Sequence, residues 1–271
     1  MVDGSVVADV AVVIVNHSSG EKVTELLGDL RAACPPPREV VIVDNGAVPF
    51  VGTTCDGPFT VEVIRVENRG FGSAVNEGVR RSSAASVCIS NPDVRLRTPD
   101  VFHHLHKSLA DRGVAIAAPQ VLGPDGHASE DVTHQLPSVR SSLSMVLKRR
   151  HHRPAPPQSG DVDNITGAFF MIDRSTWNEL GGFDEAYFMY FEDADLCARV
   201  KRMGLRILVV PGVSVEHEVG GTPASWVQRR GWYEASRLRY FSIWRPRHEG
   251  LAIAWLAALA RRRPGRRVVQ P

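Results

Sequence analysis

The order of apolar and polar positions predicts alternating buried strands and amphipathic helices along the first two hundred residues. Val10 to Val15 (VAVVIV) is a nearly continuous β-branched run, the pattern of a strand covered on both faces of a parallel sheet. After the polar turn Asn16 to Gly20, Val23, Leu26, Leu27 and Leu30 recur at helical spacing, and Pro35, Pro36 and Pro37 stop that helix. The next run, Val40 to Val43, ends in Asp44, Asn45 and Gly46. Val61 to Val66 ends in Glu67, Asn68, Arg69 and Gly70, ahead of a second helix beginning near Ser73. Val87 to Ser90 repeats the pattern and delivers Asn91 and Asp93 to the same edge. This recurrence reads as an α/β fold built from βαβ units, whose strand ends open toward ligand-binding loops.

Further along, Val101 to Leu109 has helical spacing and Val114 to Ala118 reads as a short strand. Periodicity fades between Gly123 and Asp163, where RRHHRPAPP (Arg149 to Pro157) mixes cations with prolines as an exposed excursion does. Ile165 to Ile172 is expected as a strand running through Gly167, and Ser175 to Leu180 as a short helix stopped by Gly181 and Gly182. A helix then begins at the acidic cluster of YFMYFEDADLC (Tyr187 to Cys197), with Leu196, Val200 and Met203 on its buried side and Arg199, Lys201 and Arg202 on its wet side. Gly204 ends it, Ile207 to Val210 makes a strand, and Pro211 and Gly212 turn the chain toward Val213 to His217. No internal repeat is visible.

The 271 residues, 43% hydrophobic and 23% charged, describe a folded globular chain with one domain, or one domain and a lid. A net charge of +2 makes the whole molecule a weak electrostatic magnet for nucleic acid, and no RNA-binding or zinc-finger pattern is present. Cations gather instead near the carboxyl end, at Arg245, Arg247, Arg261, Arg262, Arg263, Arg266 and Arg267, beside LAIAWLAALA (Leu251 to Ala260). That apolar run is much shorter than the roughly 20 residues needed to span a bilayer, so contact with the surface of an anionic membrane competes with a soluble packing helix and solvated tail. Cys34, Cys55, Cys88 and Cys197 lack the pairing of a zinc site or disulfide framework, which points to a reducing compartment. The amino end has no basic flank before its first apolar stretch, so a secretory signal is not expected.

Glu192, Asp193 and Asp195 raise one another's proton affinity unless a cation or a substrate proton offsets the repulsion, which marks acid-base or metal chemistry. Asp193 or Asp195 also suits a helix cap. Asp44, at a strand end, either accepts hydrogen bonds from a nucleoside or forms an Asx-turn with Gly46. NRGFGSAVNEG (Asn68 to Gly78) lacks both the dinucleotide-binding glycine spacing and a P-loop ending, which weakens oxidoreductase and ATPase readings. Asp93 suits Mg²⁺ or Mn²⁺ against diphosphate oxygens, or is simply a turn residue, and His217 is either a further ligand or a hydrogen-bonded strand end. Trp226, Trp232 and Tyr233 stack on a sugar or pack.

In order along the chain, VVIVNHSSG, VIVDNGA, ENRGFGSAVNEG, SNPDV, TGAFFMIDR, GGFDEAYFMYFEDADLCARVKRMGLRI and VEHEVGG resemble the family 2 nucleotide-sugar glycosyltransferases, near the bacterial rhamnosyltransferases that act on polyprenyl-linked acceptors. The likeness spans Val10 to roughly Tyr240, and the longest motif is the most specific. It implies a GT-A, Rossmann-like, mixed but mainly parallel sheet over residues 1–240, with residues 241–271 as an extension. It also implies that Asp44 recognises the base and that Asn68 with the Gly70 to Gly72 turn lines the donor pocket. Asn91, Pro92 and Asp93 match the family's metal turn, with Asp93 holding Mg²⁺ or Mn²⁺, Asn91 contributing at most a neutral oxygen and His217 completing the coordination. Gly167 and Ala168 would let donor or acceptor approach the backbone. Asp193 matches the general base of a single inverting displacement, tuned or oriented by Glu192 and Asp195. His17 and Ser18 replace the family's usual Tyr-Asn pair after Asn16, so the first loop leaves donor preference open.

The implied function is metal-dependent transfer of a deoxyhexose, foremost L-rhamnose from dTDP-L-rhamnose, to a polyprenyl-linked or polysaccharide acceptor at the cytoplasmic face of the plasma membrane. A UDP-hexose donor is the alternative within the class. A noncatalytic carbohydrate- or nucleotide-binding subunit on the same scaffold is the alternative outside it.

Overall fold

The β-branched runs form one mixed nine-stranded sheet in a computed structural model that describes residues 8–52, 57–129, 134–139, 159–218 and 224–261, with side chains described as far as residue 255. The strands are β1 (Ala8–Asn16), β2 (Pro37–Asp44), β3 (Thr60–Arg65), β4 (Ser86–Ser90), β5 (Val94–Leu96), β6 (Val114–Leu122), β7 (Gly160–Val162), β8 (Phe169–Asp173) and β9 (Arg206–His217). Their order is β3-β2-β1-β4-β8-β6-β9-β5, with β7 also paired to β9. From β3 to β4 every pairing is parallel; β8 then lies antiparallel between β4 and β6, and β6 and β9 are parallel again.

Residues of β1 alternate between two separate cores, as the pleat requires. Val10, Val12 and Ile14 pack under α1 (Gly20–Ala32) and α3 (Val101–Leu109), through Leu26, Leu27, Leu30, Phe102 and Leu105. Val13 and Val15 face α2 (Phe71–Arg81), α4 (Arg174–Leu180) and α5 (Glu192–Arg202), through Val75, Val79, Trp177, Leu196 and Val200. The result is the α/β sandwich of a GT-A, Rossmann-like arrangement. A third cluster, with Tyr187, Ala194, Ala198, Tyr240, Phe241 and Ile253, fixes two carboxyl-terminal helices, α6 (Trp226–Trp244) and α7 (Arg247–Arg261), against α5.

Several element bounds differ from the sequence pattern. The strand expected over Ile165 to Ile172 begins only at Phe169, because the backbone of Gly167 and Ala168 bonds outside the ladder, to Asp193 and Asn91. Pro211 and Gly212 do not separate two strands. β9 runs through them, with Gly212 at φ 74° and a register shift against β6 between Ala118 and Gln120, so a bulge absorbs the bend. The three-residue strands β5 and β7 are too short to carry a period. The Arg149 to Pro157 excursion, Cys55 and the arginines beyond 261 lie outside the described residues.

Candidate active site

The sheet brings the singled-out polar residues to one edge. Asn16, Asp44, Arg65 and Ser90 end β1 to β4, His217 ends β9, and the antiparallel β8 starts at that edge, directly after Ala168. The amide of Asn91 donates to the Ala168 carbonyl (2.7 Å), and the neighbouring Gly167 amide donates to Asp193 Oδ2 (3.0 Å). Two acidic turns a hundred residues apart are thereby joined through two consecutive peptides.

At the β2 end, Asp44 is buried and its carboxylate is fully engaged. Oδ1 accepts from Asn16 Nδ2 (2.9 Å) and Gly46 N (3.4 Å); Oδ2 accepts from Phe50 N (2.9 Å) and Arg65 Nη1 (2.7 Å). The Asx-turn with Gly46 is therefore present. Arg65, half of whose side chain is exposed, also donates to the Gly46 and Ala47 carbonyls. The sequence reading missed it, although in-register pairing of β2 and β3 sets Arg65 beside Asp44.

Asn68 Oδ1 accepts from Gly70 N (3.1 Å), closing the turn before α2. Gly70 has φ 105°, and a Cβ there would lie 2.3 Å from the Phe188 carbonyl oxygen. The Phe71 amide donates to that same oxygen (3.0 Å). Gly72, in the first turn of α2, packs on Phe183, where a Cβ would come within 2.9 Å of the Phe183 Cβ. Asn76 exchanges two 2.9 Å hydrogen bonds with the Phe183 backbone, so the turn before α2 and the loop before α5 are firmly joined.

Antiparallel pairing of β5 with β9 puts Val94 opposite His217, and this brings Asp93 to the histidine. His217 Nε2 lies 3.2 Å from Asp93 Oδ1 and 3.3 Å from Asn91 Nδ2. Among the described residues no group of three or more His, Cys, Asp and Glu side chains is placed to hold a metal ion. One carboxylate and one imidazole nitrogen still fit Mg²⁺ or Mn²⁺ when substrate phosphates supply the other ligands. Lys22 stands nearby, bonded to Glu218 (2.9 Å). That bond raises its affinity for the proton, and the Asp93 charge adds to the rise. A lysine in the first turn of a helix, against the dipole preference, was the overlooked signal.

The acidic cluster occupies the first turn of α5. Tyr190 (φ 70°) and Phe191 (φ 67°) precede it as consecutive left-handed residues, each costing about 1–2 kcal/mol. Contacts from α6 hold them there. Tyr233 packs on both rings (centroids 5.8 and 5.3 Å apart), Trp232 packs on Phe188 (4.8 Å), and Ser236 Oγ donates to the Met189 carbonyl (2.8 Å). Trp232 and Tyr233 thus pack against the turn, whereas Trp226 is 42% exposed.

The three carboxylates have different surroundings. Asp193 is half-buried and accepts from Gly167 N and Ala194 N (2.7 Å), bonds that favour its anion and oppose the upward push of desolvation. Glu192 is buried, and among the described residues its Oε2 has no partner. Burial, and after it the Asp193 charge, pushes its pKa up to about 8. Burial thus raises the proton affinity of both members of the pair, and the two amide donors make Asp193 the better host for the negative charge. Asp195 is turned away, held by Arg199 Nε (2.9 Å) and Trp244 Nε1 (2.7 Å). Arg199 also donates to the Leu180 and Gly182 carbonyls, which makes this a structural knot.

Residues 8–235 match the family model described as Glycosyltransferase like family 2. The chain is 27% identical over 207 residues to the low-salt glycan biosynthesis hexosyltransferase Agl10 of Haloferax volcanii, covering 73% of this chain and 64% of that protein. It is 28% identical over 245 residues to the N-acetylglucosaminyl-diphospho-decaprenol L-rhamnosyltransferase of Mycobacterium tuberculosis, covering 79% and 78%. Among solved structures, the mannosyltransferase PcManGT from Pyrobaculum calidifontis in complex with GDP-Man and Mn²⁺ superposes with a TM-score of 0.55 at 20% identity, covering 88% of this chain and 62% of that one. This last likeness is one of fold.

Proposed function

Because the chain belongs to the glycosyltransferase-like family 2, we propose that it transfers a sugar, with inversion, from a nucleotide-sugar donor to a lipid-linked or polysaccharide acceptor. The observation that carries this reading is the bridge from Asp193 through Gly167 and Ala168 to Asn91, which sets a carboxylate beside the Asp93 and His217 turn. In the reaction, Asp193 takes the proton of an acceptor hydroxyl as its oxygen attacks the anomeric carbon. The bond from that carbon to the phosphate oxygen breaks on the opposite face, and the nucleoside diphosphate leaves. A divalent cation held by Asp93 and His217 would neutralise charge on the departing diphosphate.

Asn68 and Gly70 shape the donor side, and Asp44, with Arg65, builds the nucleoside end. Glu192 acts as the neutral partner of Asp193, and Asp195 fixes the helix that bears it. The donor is dTDP-L-rhamnose, as the motif resemblance implies, and both L-rhamnose and a polyprenyl-linked acceptor agree with the mycobacterial relative's name. Residues 1–240 are the transferase unit and 241–271 its extension, although α6 runs unbroken through position 240. Purified protein offered dTDP-L-rhamnose, UDP-hexoses and a polyprenyl diphosphate-linked sugar should form coupled glycoside product, read by mass spectrometry. Turnover should fall at least tenfold on chelation and return with Mg²⁺ or Mn²⁺. Donor bound but never consumed would favour the noncatalytic alternative, and full turnover in chelator would remove the cation from the reading.

Among the described residues no helix is long and apolar enough to cross a membrane. The proposed location is peripheral, on the cytoplasmic face, through α7. Leu251 (72% exposed) and Trp255 (64%) follow Arg247 at four-residue spacing on one face, while Ile253 is buried against the α5 and α6 cluster. Substituting both Leu251→Glu and Trp255→Glu should weaken binding to anionic vesicles about tenfold or more and leave the fold intact. Unchanged vesicle affinity would sink the α7 contact.

A further inference from the structure

Arg229 differs from the arginines around it. Arg237 pairs with Glu234 (2.6 Å), Arg239 with Asp184 (2.6 Å), and Arg245 donates to the carbonyls of Leu136 and Pro137. Arg229 is half-buried, yet among the described residues its guanidinium has neither a hydrogen-bond nor an ion-pair partner. A partly sheltered, unpaired guanidinium is costly unless an anion completes it, and its planar fork matches phosphate oxygens.

Its position indicates which anion. Trp226, Arg229, Arg230 and Tyr233 recur at three- and four-residue spacing and share one face of α6. Tyr233 lays that face on Tyr190 and Phe191, immediately before Glu192 and Asp193. Arg229 stands one helical turn before Tyr233 on that face and is close enough for its charge to act on the Tyr190 hydroxyl, so the cation lies near the acidic turn. One turn toward the helix start, Trp226 exposes a ring under the Arg230 guanidinium (5.1 Å), and Val227 is 73% exposed. A cation and then an aromatic face thus follow one another along this side of α6, outward from the carboxylates, while Val227 lies off it. A sugar joined through phosphate to a hydrocarbon chain would meet the cation first and the exposed ring after it.

Resting on the transfer reading above, we propose that Arg229 binds the phosphate or diphosphate linking the acceptor sugar to its carrier lipid, and so sets the acceptor hydroxyl toward Asp193. Arg229 is a specificity residue for the acceptor and takes no part in donor binding.

The test compares wild type, Arg229→Gln and Arg229→Lys in neutral detergent free of anionic lipid. The two acceptors carry the same sugar on chains of equal length, one through a diphosphate and one as an uncharged alkyl glycoside. Arg229→Gln should raise KM for the diphosphate acceptor about 10- to 100-fold, with kcat and the donor KM within twofold and the uncharged acceptor unaffected. Arg229→Lys should recover part of the loss. Equal losses on both acceptors would mean a merely structural role, and a raised donor KM would mean a donor-phosphate contact; either overturns the proposal. If wild type transfers to neither acceptor, the transfer reading fails. The proposal is then read by equilibrium binding of the diphosphate lipid, followed by tryptophan fluorescence. Weaker binding by Arg229→Gln supports it, and equal affinity overturns it.

Discussion

Asp193→Asn is expected to lower kcat by about 10²- to 10⁴-fold while donor affinity stays within twofold, because the change removes a proton acceptor and keeps the side chain's size. Asparagine retains one oxygen, enough for the Gly167 amide and the bridge to Asn91, and gives up the acceptor of the Ala194 amide, so an unchanged circular dichroism spectrum is needed to mark the loss as chemical. Release of nucleoside diphosphate measures it, and near-wild-type turnover would return the base to another residue. Glu192→Gln is the control. The Glu192 pKa stands near 8 in the fold, against about 4.3 for a free glutamate. Between those values the folded chain holds a proton that the unfolded chain has released. Stability is therefore fully present below about pH 4 and declines as pH rises toward 8. Glu192→Gln should flatten that decline in denaturant midpoints taken at pH 5 and pH 8, and an unchanged slope would contradict the protonated assignment.

Asp195→Ala should do the reverse, destabilising the fold by about 3–5 kcal/mol while the molecules that remain folded still turn over. Its buried carboxylate is, among the described residues, the one acid partner of Arg199, whose other bonds go to the Leu180 and Gly182 carbonyls, and it also receives the indole N–H of Trp244. Removing it strands a largely buried guanidinium. Chemical denaturation gives the stability loss, and activity per folded molecule separates it from catalysis. A variant as stable as wild type but inactive would make Asp195 a member of the reacting group after all.

The first half of the fold was legible because each early strand is a β-branched run and each early helix shows a clear apolar stripe. Val10 to Val15 and Leu26 to Leu30 take the predicted forms and positions. Where backbone groups serve the site instead of the ladder, pattern gave the wrong bounds, as at Gly167 and Ala168. The residues of the candidate site could be picked out too, since Asp44, Asp93, Asp193 and His217 stand at strand ends or in the first turn of a helix. What pattern cannot carry is direction. Nothing in EDAD tells that Asp193 meets Gly167 while Asp195, two residues on, meets Trp244 from a helix forty-nine positions away. Arg65, Lys22 and Arg229 were missed because a single surface-type cation becomes informative only when its neighbours in space are known.

The close approach of Gly70 to Phe188 has a mechanical consequence. Backbone there touches backbone, with the Phe71 amide bonded to the Phe188 oxygen and room for no side chain between them. Neither stretch can swing without carrying the other, so no hinge can lie at that seam. Any breathing at this edge of the sheet must come from segments outside it.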